Sequence, residues 1–171
     1  MANNQTKGNF KILEKYAELS RDYNGWIKQI NLVDWGGPKP KLDIRYWSPD
    51  GTRPGRGEKF NATEARVVHK VLKERLERAA TTGGKFEPWG KQLNKINLPI
   101  NVDCTIIEKI EEINRYGSAG GRWINLVSWH NRDPKLDIRY WPNNNSHDTK
   151  GLTLDEEEAL KVYQVMKRWF G

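Results

Sequence analysis

The sequence predicts an α+β protein made of two tandem copies of one small module, each a β-sheet closed by a helix. Two observations lead there: an internal repeat, and a strand-period to helix-period switch inside each copy. Ile30-Asn-Leu-Val-Asp-Trp35 returns as Ile124-Asn-Leu-Val-Ser-Trp129, and Pro40-Lys-Leu-Asp-Ile-Arg-Tyr-Trp47 returns unchanged as Pro134 to Trp141, both 94 residues on. The same offset relates Ile12-Leu-Glu-Lys15 to Ile106-Ile-Glu-Lys109. An eight-residue identity in register with two further matches marks a duplication, and such self-similarity fixes architecture before any local reading does. Past the second Trp the copy reads as two residues shorter, so that Phe60-Asn-Ala-Thr-Glu64 aligns with Leu152-Thr-Leu-Asp-Glu156.

Each copy opens with strand-like segments. Residues 10–19 and 104–113 are first strands, 26–35 and 122–129 second strands, 41–47 and 135–141 third strands. Gly/Pro-rich loops follow at 48–57 and 142–151, with a short fourth strand expected near 58–60 and at Leu152. Asn61 with Glu64, and Thr153 with Glu156, have the spacing of capping boxes. Behind them Ala65, Val68, Leu72, Leu76 and Ala79, then Ala159, Tyr163, Met166 and Phe170, recur at helical spacing as core stripes. The domain reading is therefore a first module over 1–80, a linker over 81–103 and a second module over 104–171.

Composition narrows the function. A polar N-terminus without an apolar run argues against a signal peptide, and no stretch reaches the roughly 20 apolar residues of a membrane span. The lone Cys104 excludes an intrachain disulfide framework, so a reducing, cytoplasmic setting is expected, nucleoid-associated in a bacterium or host cytoplasm for a virus. The net charge of +7 favours an anionic partner. Its distribution is uneven: residues 1–80 carry 16 Lys and Arg against 10 Asp and Glu, while residues 104–171 carry 10 of each.

Strand alternation says where that partner would lie. In the third strand Leu42, Ile44 and Tyr46 point to one face, and Lys41, Asp43, Arg45 and Trp47 to the other. Gln29, Asn31, Val33 and Trp35 share the polar parity of the second strand. The second copy repeats the pattern with Trp123, Asn125, Val127 and Trp129, then Lys135, Arg139 and Trp141. A strand Trp is more often core, and an Asp–Arg pair two apart is often a same-face salt bridge. Yet six of the eight Trp lie in or at the start of these strands. Flat aromatics among Arg, Lys and Asn offer stacking for unpaired bases and charge for phosphates, each stack contributing about 1–3 kcal/mol. The loop Thr52-Arg-Pro-Gly-Arg-Gly57 adds two cations on a Gly-rich backbone, whereas its counterpart over 143–151 holds only His147 and Lys150. The first module is thus expected to make more phosphate contacts.

At these residues the chain resembles a known family. Asp43-Ile-Arg-Tyr-Trp-Ser-Pro-Asp-Gly-Thr-Arg-Pro-Gly-Arg-Gly57 is similar to the core of the transcriptional coactivator called positive cofactor four. Gly25 to Trp35 with Pro40 to Trp47 looks still more like the bacterial YdbC-like branch. The resemblance covers both repeats but not the linker. It implies curved, antiparallel four-stranded sheets, each followed by one helix, with the helices pairing the modules and single-stranded DNA lying along the sheet faces. Family members are single-module homodimers, so two modules in one chain imply an intramolecular pseudo-dimer and a monomer in solution. Carried over position by position, the resemblance and the polar parity assign nucleic-acid binding to Trp26, Lys28, Asn31, Trp35, Lys41, Arg45, Trp47, Arg53 and Arg56. In the second copy they assign it to Trp123, Asn125, Trp129, Lys135, Arg139, Trp141 and Lys150. Gly120 stands where the first copy has Trp26.

Two other readings stay open. One is a transcription or replication coregulator working mainly through protein contacts, the acidic run Asp155 to Glu158 being a candidate contact unless it serves a helix N-terminus. The other is RNA binding, since nothing in the sequence senses a 2′-hydroxyl. Enzymatic activity is not expected, and neither a cofactor nor a metal is: His69, His130 and His147 lack ligand spacing, and the pairs His130 with Asp133 and His147 with Asp148 read as surface loops.

Overall fold

Two antiparallel four-stranded sheets, each followed by a helix, arise from the repeat. The computed structural model describes residues 9–83, 88–89, 103–144 and 150–171. The first copy forms β1 (Lys11–Arg21), β2 (Ile27–Asp34), β3 (Lys41–Trp47), β4 (Pro54–Phe60) and α1 (Ala62–Thr81). The second forms β5 (Cys104–Arg115), β6 (Gly120–Trp129), β7 (Lys135–Pro142), β8 (Gly151–Leu154) and α2 (Glu156–Phe170). Strands neighbour one another in chain order in both sheets. Most of the expected linker, 84–87 and 90–102, lies outside the described residues. Among the described residues, no helix is long and apolar enough to cross a membrane.

The expected alternation holds where pairing is regular. Between β2 and β3 the register runs unbroken from Ile27 opposite Trp47 to Val33 opposite Lys41. Ile30, Leu42, Ile44 and Phe60 therefore project together toward the helices and are buried, as are Ile124, Leu136, Ile138 and Leu154 in the second sheet. The first strand of each sheet behaves differently. β1 shifts register against β2 after Ile12, Lys15 and Glu18, and β5 shifts against β6 after Ile106, Lys109 and Glu112, the same positions one repeat on. Repeated bulges bend a strand and increase its twist, so β1 and β5 curl over their sheets.

Three expectations are corrected. β4 begins at Pro54, so Arg56 sits in a strand and not in a loop. Gly57 makes this possible: a Cβ there would lie 2.1 Å from the Cβ of Arg45, and Gly151 meets Arg139 at 2.6 Å in the same way. The copies also keep the 94-residue offset to the end, because Leu42 pairs with Phe60 and Leu136 with Leu154. There is no two-residue loss. As a result α2 is capped by Asp155 with Glu158, not by Thr153 with Glu156. Both Leu152 and Leu154 are buried, and burying the pair carries the strand past Thr153 before the helix starts. The box at Asn61 and Glu64 is as expected, and acids in the first turn of α2 meet the positive end of its dipole.

The main core runs through both modules. α1 and α2 pack on each other, and each also lies on the other module's first strand, α1 on β5 and α2 on β1. The polar contacts at this seam are reciprocal across the repeat. Lys28 Nζ lies 2.7 Å from Glu158 and donates to the Thr153 carbonyl at 2.7 Å, and the Ser20 hydroxyl donates to Glu158. One repeat on, Arg122 pairs with Glu64 at 3.2 Å and donates to the Lys59 carbonyl, and the Asn114 amide donates to Glu64. His69 stacks on Tyr163, its own counterpart, at 5.6 Å. One element has no reciprocal partner among the described residues: Trp89 is buried against the second module and its Nε1 donates to the Leu154 carbonyl at 2.8 Å, while Arg75 of α1 donates to the Pro88 carbonyl.

Candidate functional site

The sheet faces turned away from the helices carry the same polar–aromatic cluster twice. Asp43 on β3 is fully buried, and Arg45 Nε donates to it at 2.7 Å. That pairing holds the guanidinium 4.5 Å from the Trp35 ring. In the second sheet Arg139 binds Asp137 through Nε and Nη2, both at 2.7 Å, and lies 4.4 Å over Trp129. Trp129 Nε1 also donates to Asp137. With the amides oriented to satisfy their neighbours, the Asn31 oxygen accepts from Trp47 Nε1 at 3.2 Å, and the Asn125 oxygen from Trp141 Nε1 at 3.1 Å. Burial pushes the Asp43 and Asp137 carboxyls upward, against the pull of Arg45 and Arg139.

This arrangement changes the roles read from sequence. Asn31 and Asn125 are buried beneath the tryptophans and position indole rings. Arg45 and Arg139 are plates held on Trp35 and Trp129 with much of their charge met by an aspartate. Lys28 is corrected outright: it is 3% exposed and turned into the seam against Glu158. Its parity is that of Ile30, the core side, and an ammonium there is stable only with a buried acid opposite. Trp47 is also corrected. It has the expected parity, but Phe10, Val33 and Trp35 gather around it in a second small core and leave it 1% exposed. Phe10 lies 5.3 Å from both Trp35 and Trp47, and the two indoles stack at 6.3 Å.

The remaining expected residues are accessible. Trp35, Trp123, Trp129 and Trp141 are half-buried, Lys41 is half-buried, and Lys135 and Lys150 are exposed. Trp26 stands apart against Gly55, with the exposed Arg53 5.6 Å over its ring. Arg56 reaches beyond its own module. With Trp129, Arg132, Lys135, Arg139 and Lys150 it lines a hollow of about 650 Å³ where β4 meets β8. Arg56 and Lys150 are themselves one repeat apart, so the two outer faces join through a basic saddle.

Sequence reasoning missed the residues that β1 and β5 lay over these faces: Phe10 and, in the second module, Cys104, Ile106 and Lys109. The latter three border a groove of about 340 Å³ with Trp123, Asn125 and Trp141. A signal was present, since the 94-residue offset sets Cys104 opposite Phe10. Among the described residues, no three His, Cys, Asp or Glu side chains come together as a metal site. Residues 147 and 148 lie outside the described residues.

No protein-family model matches the sequence. Over 63 residues, covering 37% of this chain and 74% of the relative, the chain is 30% identical to an uncharacterized protein of Treponema pallidum (strain Nichols). That length is close to one sheet-and-helix module, and the chain belongs to the family of this Treponema protein.

Proposed function

We propose that the chain binds single-stranded DNA, largely without regard to sequence, along the two outer sheet faces. The observation that carries this reading is the duplicated cluster itself: an Asp-anchored Arg plate over a Trp, beside an Asn-anchored Trp, on the face away from the helices in both modules. Trp47 itself is closed over by Phe10, but the half-buried Trp35, Trp123, Trp129 and Trp141 present fixed aromatic surface at little entropic cost, which suits unpaired bases; bases in a duplex already stack on one another. Exposed Arg53, Arg56, Arg132, Lys135 and Lys150 border these faces at positions suited to phosphates. The resemblance to positive cofactor four and its YdbC-like branch points the same way.

The two modules form an intramolecular pseudo-dimer in this proposal. Its support is the reciprocity of the seam, where residue i meets j and their counterparts meet in turn, as in an isologous interface. Sedimentation at one chain mass, 19.9 kDa, is expected.

Titration of the intrinsic Trp fluorescence with a thymine oligonucleotide tests the function. Quenching by the single strand, weakened by salt and absent with duplex of the same length, is the expected result. A flat signal with both would end the proposal.

A further inference from the structure

We propose that the groove beside Trp141 seats one unstacked nucleobase against that indole, and that on the first module Phe10 covers the equivalent Trp47 and keeps a base from it. The proposal rests on the single-strand reading above and assigns the two faces unequal roles within it.

In the first module the Phe10 ring touches Trp35 and Trp47, with interplanar angles of 43° and 53°. Phe10 itself is only 9% exposed. The position shows that an aromatic ring fits between the curled first strand and the Trp of the third. One repeat on, that ring is replaced by the half-buried Cys104, and nothing from β5 covers Trp141 in the same way. Trp141 instead walls a groove of about 340 Å³, within the range of small-ligand sites, whereas the first-module groove at the same first-strand positions, about 530 Å³ between Phe10, Ile12 and Lys15 and the turn at Asp50 to Thr52, is lined by no Trp. Gln29 of the first module is replaced there by Trp123, which adds a second indole to the lining. Lys109, exposed on β5, stands at the rim for a phosphate. Asn125 is occupied with Trp141, so the seat offers ring faces and a cation more than base-edge recognition and accepts any base.

The consequence runs against the charge distribution. The more basic first module supplies phosphate contacts through Arg53 and Arg56, whereas the neutral second module holds the base.

The test uses the full chain, a thymine oligonucleotide and the variants Cys104→Phe and Phe10→Ala. Cys104→Phe copies the first module's own solution and is expected to weaken binding roughly 10-fold or more, the value of one stacked base. Phe10→Ala is expected to bind at least as tightly as wild type. A 5-iodouracil oligonucleotide, photo-crosslinked to the wild-type chain, is expected to label Trp123 or Trp141. This second readout holds even if a variant fails to fold. Wild-type binding with unchanged affinity for a folded Cys104→Phe, or crosslinks confined to Trp35 and Trp47, would overturn the seat while leaving single-strand binding in place. Absence of wild-type binding would overturn both.

Discussion

Lys28→Met separates two accounts of one residue. The family resemblance sets Lys28 on a phosphate; the structure sets it 2.7 Å from Glu158 with both side chains under 5% exposed. Methionine matches the lysine stem in length but removes the ammonium, leaving the Glu158 carboxylate to accept from the Ser20 hydroxyl and the Asp155 backbone N–H. Breaking a buried pair from one side costs about 3–5 kcal/mol, because the surviving charge stays buried without compensation. That is a large part of the roughly 5–15 kcal/mol that holds a typical domain folded. Urea unfolding at neutral pH, followed by circular dichroism, should show the midpoint falling sharply for Lys28→Met. Much of it should return in Lys28→Met/Glu158→Met, where no charge is stranded. The salt dependence of oligonucleotide binding by the folded fraction should keep its slope. A variant as stable as wild type, with a slope reduced by about 0.7, would mean that Lys28 meets a phosphate and that the seam is wrongly drawn.

Further outcomes follow from the same geometry. Trp47→Ala should destabilise by about 3–5 kcal/mol, the usual cost of emptying a buried aromatic site, while Trp141→Ala should cost less stability and more affinity; equal unfolding midpoints for the pair would contradict the closed and open faces. Arg53→Ala with Arg56→Ala should leave the unfolding midpoint in place and lower the salt slope by about 0.7 for each phosphate no longer neutralised, and an unchanged slope would remove both from the interface. Acid should loosen the seam. Burial alone would raise the Glu158 carboxyl, but Lys28 and Ser20 outweigh it and hold the group below its ordinary 4.5. The unfolded chain therefore takes up this proton first, and the stability the group contributes is present above about pH 4.5 and lost as pH falls through its folded value. Urea midpoints from about pH 6 to about pH 3 should drop more steeply for wild type than for Glu158→Gln, and parallel curves would refute the assignment.

The repeat made most of the architecture legible, because an eight-residue identity leaves little freedom in where strands and helices fall. Parity then placed Trp47 and Trp141 on the correct face, but parity names a direction and says nothing of what arrives there from another strand. Phe10 comes from the head of β1, whose bulges break the period-2 pattern that sequence reasoning depends on. The cap of α2 was ambiguous for a local reason. Thr153 with Glu156 and Asp155 with Glu158 are overlapping capping boxes, and only the pairing of Leu154 with Leu136 chooses between them. Lys28 was misread although its parity matched Ile30, since a lysine in a sheet normally faces solvent and the acid that draws it inward lies 130 positions away.

The clip at Trp89 bears on how the two halves behave on dilution. Two separate subunits joined by the same seam would part when their concentration fell below their dissociation constant. Here Pro88 is held by Arg75 of α1 and Trp89 by the Leu154 carbonyl of β8, and halves on one chain meet at an effective concentration that dilution does not lower. Joined this way, neither half has to be identical to its partner. A homodimer cannot carry Phe on one face and Cys on the other at the same position. A covalently paired chain can, so one side is free to change without altering its twin.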